Sequence, residues 1–210
     1  MRRPPPHANG LFDLQNRYAS LSEAGDPLER LNAVIDWEMF RSILSRIDPT
    51  ERKSAAGRKP TCRVLIFKML ILQRLRNLSD ERLQYPVSDR LSLMRFLDLE
   101  LAGNVPDDRT LWAFRKALKQ HPLTDALFER LNQALSNTEK LHVRAQVEHV
   151  LGAMENDMVG IFLRSMGAAR AKVGVGLMNL TYNLKRIETL IRLKVFDFDR
   201  IGAPVAQAMA

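Results

Sequence analysis

The stretch Arg63-Val64-Leu65-Ile66-Phe67-Lys68-Met69-Leu70-Ile71-Leu72-Gln73-Arg74-Leu75-Arg76 decides what kind of fold this chain adopts. Wound at 3.6 residues per turn, its apolar residues cover nearly every side, which predicts a helix surrounded by other helices. Pro60 stands where such a helix opens. Cations crowd around it: Arg52, Lys53, Arg58, Lys59, Arg63, Lys68, Arg74 and Arg76 fall between 52 and 76 with no acidic residue among them. The 210-residue chain has Lys+Arg 32 against Asp+Glu 24, a net charge of +8, so this one segment holds a charge equal to the whole excess. A buried rod flanked by cations points to a polyanionic partner, most simply nucleic acid.

Working outward, helices are predicted on both sides of the rod. Asp26-Pro27 reads as an N-cap followed by proline at the first helical position, and Leu28, Leu31, Ile35, Met39 and Ile43 then mark one face of a single helix running to Asp48-Pro49. Ser79, Asp80 and Glu81 open a shorter helix that Pro86 should end or bend. Another passes through Leu91, Met94, Phe96 and Leu97 and stops before Gly103-Asn104. Asp107-Asp108 caps a helix with Leu111, Phe114 and Leu118 inward, and with Trp112 also assigned to the core. Leu123, Leu127, Leu131 and Leu135 form one more. No period-2 strand interrupts residues 26–136, so this part is predicted all-α. Residues 1–25 read as an irregular arm and 137–141 as a polar joint. Within 142–195 helical patterning resumes at Val143, Gly160 and Gly167 bracket a small non-helical stretch in which Ile161-Phe162-Leu163 can run extended, and a long helix from Ala168 to Val195 follows in which Gly174 and Gly176 are weak points; 196–210 is a tail.

With 46% hydrophobic residues the chain has enough to build a core. The single Cys62 and 4 His supply neither a disulfide nor a zinc framework, and no phosphate-cradling glycine loop or nucleophile elbow occurs. His142 and His149 lack a third ligand, and the Asp80/Glu81 and Asp107/Asp108 pairs are explained as caps. Neither a secretory leader nor an apolar run of membrane-spanning length is expected, which fits a reducing, intracellular setting.

Longer motifs narrow the reading. Arg144-Ala-Gln-Val-Glu148-His-Val-Leu-Gly-Ala-Met-Glu155, then Ala169-Arg-Ala-Lys-Val173 and Gly176-Leu-Met-Asn-Leu-Thr-Tyr-Asn-Leu-Lys-Arg186, closely resemble the C-terminal end of bacterial transposases of the insertion-sequence-five family. Gly57-Arg-Lys-Pro60, Asn77-Leu-Ser-Asp-Glu-Arg-Leu83, Arg95-Phe-Leu-Asp-Leu99 and Val105-Pro-Asp-Asp-Arg-Thr-Leu-Trp-Ala-Phe-Arg115 resemble its N-terminal domain, in the same order. The resemblance implies a DDE transposase, in which a ribonuclease-H-like sheet presents two aspartates and a following helix adds a glutamate to bind Mg²⁺. Here the two ends abut at residues 137–141 and the strand-rich middle with both aspartates is missing. Glu148 is the one triad member matched, with Arg144 at the preceding arginine, while Leu141 and Glu155 depart from the family pattern. Two-metal phosphoryl transfer needs several carboxylates around ions ~4 Å apart. Glu155, about 10 Å along the helix from Glu148, cannot share an ion with it. No bound cofactor is therefore expected, although intact members use Mg²⁺.

The expectation is an internally deleted transposase: a helical DNA-binding domain followed by the terminal helices of a ribonuclease-H-like core whose sheet is missing. It would be cytoplasmic and nucleoid-associated, with terminal inverted repeats as its DNA. Candidate phosphate contacts are Arg52, Lys53, Arg58, Lys59, Arg63, Arg74, Arg76 and Arg144, together with Arg109, Arg115, Lys116 and Lys119 on a helix placed in the loose manner of a helix-turn-helix. The alternative is an interaction module that pairs with a full-length transposase, or with itself, through the helix at 168–195. A third reading gives the chain no cellular role: the lost middle leaves uncovered the apolar helix faces that once packed on the sheet, and the C-terminal part is then loosely ordered or aggregation-prone.

Overall fold

In the computed structural model, residues 12–47, 61–121, 123–136 and 168–193 are described, and among them every regular element is helical. The elements are α1 (Asp13–Glu23), α2 (Pro27–Val34), a 3-10 turn (Trp37–Phe40), α3 (Arg41–Leu44), a second 3-10 turn (Ser45–Ile47), α4 (Arg63–Leu75), α5 (Asp80–Asp89), α6 (Leu91–Phe96), α7 (Asp108–Gln120), α8 (Thr124–Ser136) and α9 (Ala168–Arg192). The all-α expectation therefore holds. The segment of Arg144 and Glu148 that resembles the triad motif, the basic residues 52–59, the 137–141 joint and the 196–210 tail lie outside the described residues.

α4 is the rod its sequence predicts. Ile66, Phe67, Met69, Leu70, Ile71 and Leu72 are all buried, and α3, α7, α9 and the first 3-10 turn pack against it. Around its first half Trp37, Phe40, Phe67 and Phe96 form an aromatic cluster, with ring centroids 5.2 Å apart for Phe40–Phe67 and 5.5 Å for the edge-on Trp37–Phe96 pair. Such tilted arrangements set the positive ring edge against the negative ring face.

Two local predictions need correction. The single helix expected from Asp26 to Asp48 is broken: Asp26 caps it, its carboxylate accepting from the Leu28 amide at 2.9 Å, but the chain turns extended at Ile35 and Asp36. Trp37 is the reason. Its indole N–H donates to Asn32 Oδ1 at 2.8 Å while the ring enters the aromatic cluster. The predicted face stays buried because the 3-10 turn returns Met39 and Ile43 to the core. The other correction concerns the irregular arm, of which Asp13–Glu23 is helical. None of its residues is buried, so apolar periodicity could not reveal it. Polar contacts fasten it instead: the Arg95 guanidinium donates to Ser22 Oγ at 2.9 Å, pairs with Glu29 of α2, and lies 5.4 Å from the centroid of the Tyr18 ring. Gly25, at φ +75°, then makes the turn into α2.

The largest revision concerns the C-terminal helix. Its expected bounds agree closely with the observed ones, but it is no stranded remnant with an uncovered apolar face. Val173, Leu177, Leu180, Leu184 and Ile187 of α9 are buried in the same core as α2, α4, α7 and α8. Polar contacts fix the register. Arg30 donates through Nε and Nη2 to Glu188 Oε1 at 2.9 and 2.7 Å, and Lys172 pairs with Asp125 at 3.0 Å. Gly176, a weak point for helix propensity, is where α8 comes closest: a Cβ there would stand 2.8 Å from the Thr124 Cβ, and Thr124 is itself buried. Gly176→Ala is accordingly expected to destabilise the protein by about 1–2 kcal/mol in urea unfolding, since overpacking outweighs the gain in helix propensity. A rise in stability would show that α8 and α9 are not in such close contact.

Candidate nucleic-acid interface

α7 has two distinct faces. Leu111, Phe114 and Leu118 are buried, and Asp107 caps the helix by accepting from the Thr110 amide at 2.9 Å. The Thr110 side-chain and backbone hydrogen bonds to its carboxylate hold Asp107 below the ordinary aspartate range. The outward face carries Arg109, Trp112, Ala113, Lys116, Lys119 and Gln120, all exposed, at three- and four-residue steps, with the exposed Asp108 of the first turn as its one acid. Trp112 is 59% exposed, against the core position predicted for it, and Lys116 Nζ lies 5.3 Å from its ring centroid. Phe114 is the core aromatic of this helix. The signal lay in the spacing: at about 100° per residue, position 112 falls outside the arc of 111, 114 and 118 and on the side of 109, 116 and 119.

The inward-leaning arginine of α7 has other work. Arg115 donates to Asp80 through Nη1 at 2.8 Å and Nη2 at 2.6 Å, and to Gln73 Oε1 at 3.0 Å. This fork ties α7 to α5 and to the buried Gln73 of α4. Burial pushes the Asp80 carboxyl up, but hydrogen bonds from Arg115 and Gln73 outweigh it and leave the pKa below the ordinary value. Arg115, predicted as a phosphate contact, is thus committed within the domain.

Other predicted cations are placed as follows. Arg76 is exposed just past α4, and Arg63 and Arg74, at the ends of α4, are half-buried. Lys68, counted in the basic segment, is buried among Trp37 and Phe96, with Nζ 5.5 and 5.0 Å from their ring centroids, and it donates to Asp98 Oδ2 at 2.7 Å. Burial lowers its pKa, and Asp98 offsets part of that shift. The helix-turn-helix expectation also changes, because residues 97–107 separate α6 from α7 and α7 packs on α4, α5 and α9 instead.

Asp98 stands at φ 54°, and the Leu99 and Asp98 amides bond back to the Met94 and Arg95 carbonyls, closing α6 in a Schellman turn. Asn77, at φ 49°, closes α4 in the same way through Leu78 to Gln73 and Asn77 to Arg74. So the Asn77–Leu83, Arg95–Leu99 and Val105–Arg115 motifs each hold part of the frame behind the α7 surface. Asp98→Asn, which keeps a residue tolerant of the left-handed conformation, should cost about 1–2 kcal/mol near neutral pH: the Lys68 charge is left unpaired, but the exposed side of the pair is screened by water. Lys68→Met should cost less than ~1 kcal/mol, since the apolar stem is kept and the carboxylate left behind is largely exposed. The Asp98→Asn deficit should shrink at alkaline pH, as Lys68 loses its proton below the ordinary lysine value and the unpaired charge disappears.

Among the described residues no group of three or more His, Cys, Asp or Glu is placed to hold a metal ion, and no helix is long and apolar enough to cross a membrane. The frame and the basic outer face together define a helical domain with one surface suited to a polyanion. Residues 15–117 match the family described as a transposase domain (DUF772), which runs from within α1 to near the end of α7 and covers just under half of the chain. This stretch is accordingly similar to a transposase domain. No solved structure matches the chain.

Proposed function

We propose that the protein is a DNA-binding relic of an insertion-sequence transposase of the insertion-sequence-five type, which grips terminal inverted repeats and has lost strand-transfer chemistry. The observation that carries the binding half is the outward stripe of α7, whose exposed cations Arg109, Lys116 and Lys119 outnumber its one acid, Asp108 in the first turn, within a stretch that matches a transposase family. Arg109, Lys116 and Lys119 neutralise phosphates there, joined by Arg76 and by the basic residues at 52, 53, 58 and 59 and Arg144. The catalytic half rests on sequence: Glu148 has no aspartate partners in a strand-rich middle, and the motifs on either side abut at 137–141. Pairing with a full-length transposase through α9 is the weaker reading, since the apolar face it needs is buried against the protein's own core.

Titrating salt against the affinity for duplex DNA taken from the sequences flanking the coding region should give a steep negative slope in a log–log plot. A flat plot would remove phosphate contact as the basis of binding. Purified protein incubated with Mg²⁺ and the same DNA should leave it uncut and unjoined, and strand transfer would overturn the loss of chemistry.

A further inference from the structure

We propose that Trp112 is the base-contacting residue of the α7 surface, laying its ring against DNA bases while Arg109, Lys116 and Lys119 hold the flanking phosphates. The proposal rests on the DNA-binding reading above and adds to it a division of labour. Leu111, Phe114 and Leu118 already fill the core side of α7, so packing leaves Trp112 59% exposed in the middle of the cationic stripe. An indole has no charge for a phosphate, but it offers a wide π-face that stacks on any base or wedges at a base step. In the free protein the Lys116 ammonium, 5.3 Å from the ring centroid, occupies that environment. Drawing Lys116 to a phosphate would uncover the ring at the same moment. Tyr85, 74% exposed on α5, is a poorer candidate because the exposed acids Glu81 and Asp89 stand one turn before and one turn after it, whereas Trp112 has an acid, Asp108, on one side only and Lys116 on the other.

Fluorescence of the full-length protein separates this from simple charge attraction, because Trp37 is buried and Trp112 is the accessible indole of the pair. Mixed-sequence duplex DNA should quench Trp112 and shield it from iodide, whereas heparin, a polyanion without bases, should bind without quenching. Trp112→Ala should lose roughly tenfold in DNA affinity with an unchanged salt slope and unchanged heparin affinity, and Trp112→Phe should recover most of the loss. Circular dichroism of both variants checks that the exposed position leaves the fold intact. Wild-type DNA affinity in Trp112→Ala, or an indole still open to iodide in the DNA complex, would overturn this inference and leave DNA binding standing. Binding to neither polyanion would remove both. Concentration-dependent shielding of Trp112 without DNA, with dimers in sedimentation, would assign the ring to a second copy of the chain instead.

Discussion

Shortened to end at Ser136, the protein is expected to lose its cooperative unfolding transition. Val173, Leu177, Leu180, Leu184 and Ile187 leave water on one face of α9, and each buried side chain of this kind contributes roughly 1.5–3 kcal/mol. Together they amount to on the order of 10 kcal/mol, comparable to the entire stability of a typical domain at about 5–15 kcal/mol. Removing α9 would also expose the flanks of α2, α4, α7 and α8, and would leave Arg30 without the Glu188 carboxylate. Circular dichroism and urea titration of the shortened chain check this. A shortened chain that unfolds cooperatively near the full-length midpoint would return α9 to the role of a dispensable remnant.

The second large effect belongs to Arg115. Arg115→Ala removes a two-pronged pair from Asp80 and a donor from Gln73 Oε1, leaving the half-buried carboxylate with the hydrogen bond from the Gln73 side-chain amide but without its charged partner. Breaking a fully buried pair costs about 3–5 kcal/mol, and the partial exposure of this one brings the expected loss to about 2–3 kcal/mol. The pH dependence has a definite sign. The folded-state pKa of Asp80 is held below its ordinary value of about 3.9, so its contribution is fully present above that value and is lost as pH falls through the folded pKa. The gap between Arg115→Ala and the unaltered protein should therefore narrow in acid below about pH 4. Urea midpoints at neutral and acidic pH measure it, and an equal gap at both would detach Asp80 from Arg115. Because the pair also fixes the angle at which α7 meets α5, DNA affinity should fall together with stability.

What could be read from residues alone divides along physical lines. Apolar periodicity and caps gave the rod at α4, the Asp26 and Asp107 caps and the bounds of α9, since these depend on local chain geometry and one-sided burial. Periodicity could not find α1, whose attachment runs through the Arg95 fork to Ser22 and Glu29 from a helix more than sixty residues away. Nor could it anticipate that Trp37 would interrupt the helix after α2, because the gain comes from an aromatic partner, Phe96, distant in sequence. Charge counting was the least discriminating guide. Lys68 and Arg115 look like surface cations in the sequence, yet one is buried against Asp98 and the other forks onto Asp80. Trp112 shows the converse, a large apolar residue turned outward by its angular position on α7. The resemblance of the later motifs to a transposase C-terminus also suggested that α9 belonged with missing parts, whereas its face is complementary to the helical domain that is present.

DNA binding through the outward face of α7, as proposed, is tested most directly by neutralising that face alone. Arg109→Gln, Lys116→Gln and Lys119→Gln combined alter exposed residues alone, so the unfolding midpoint should stay close to that of the unaltered protein. Affinity for duplex DNA is then measured across a salt series for both proteins. If the face contacts phosphates, the triple variant binds more weakly at low salt, and its log–log slope is shallower by about 0.9 for each phosphate that the protein no longer neutralises. An unchanged affinity and an unchanged slope would contradict the account and move DNA binding elsewhere on the chain.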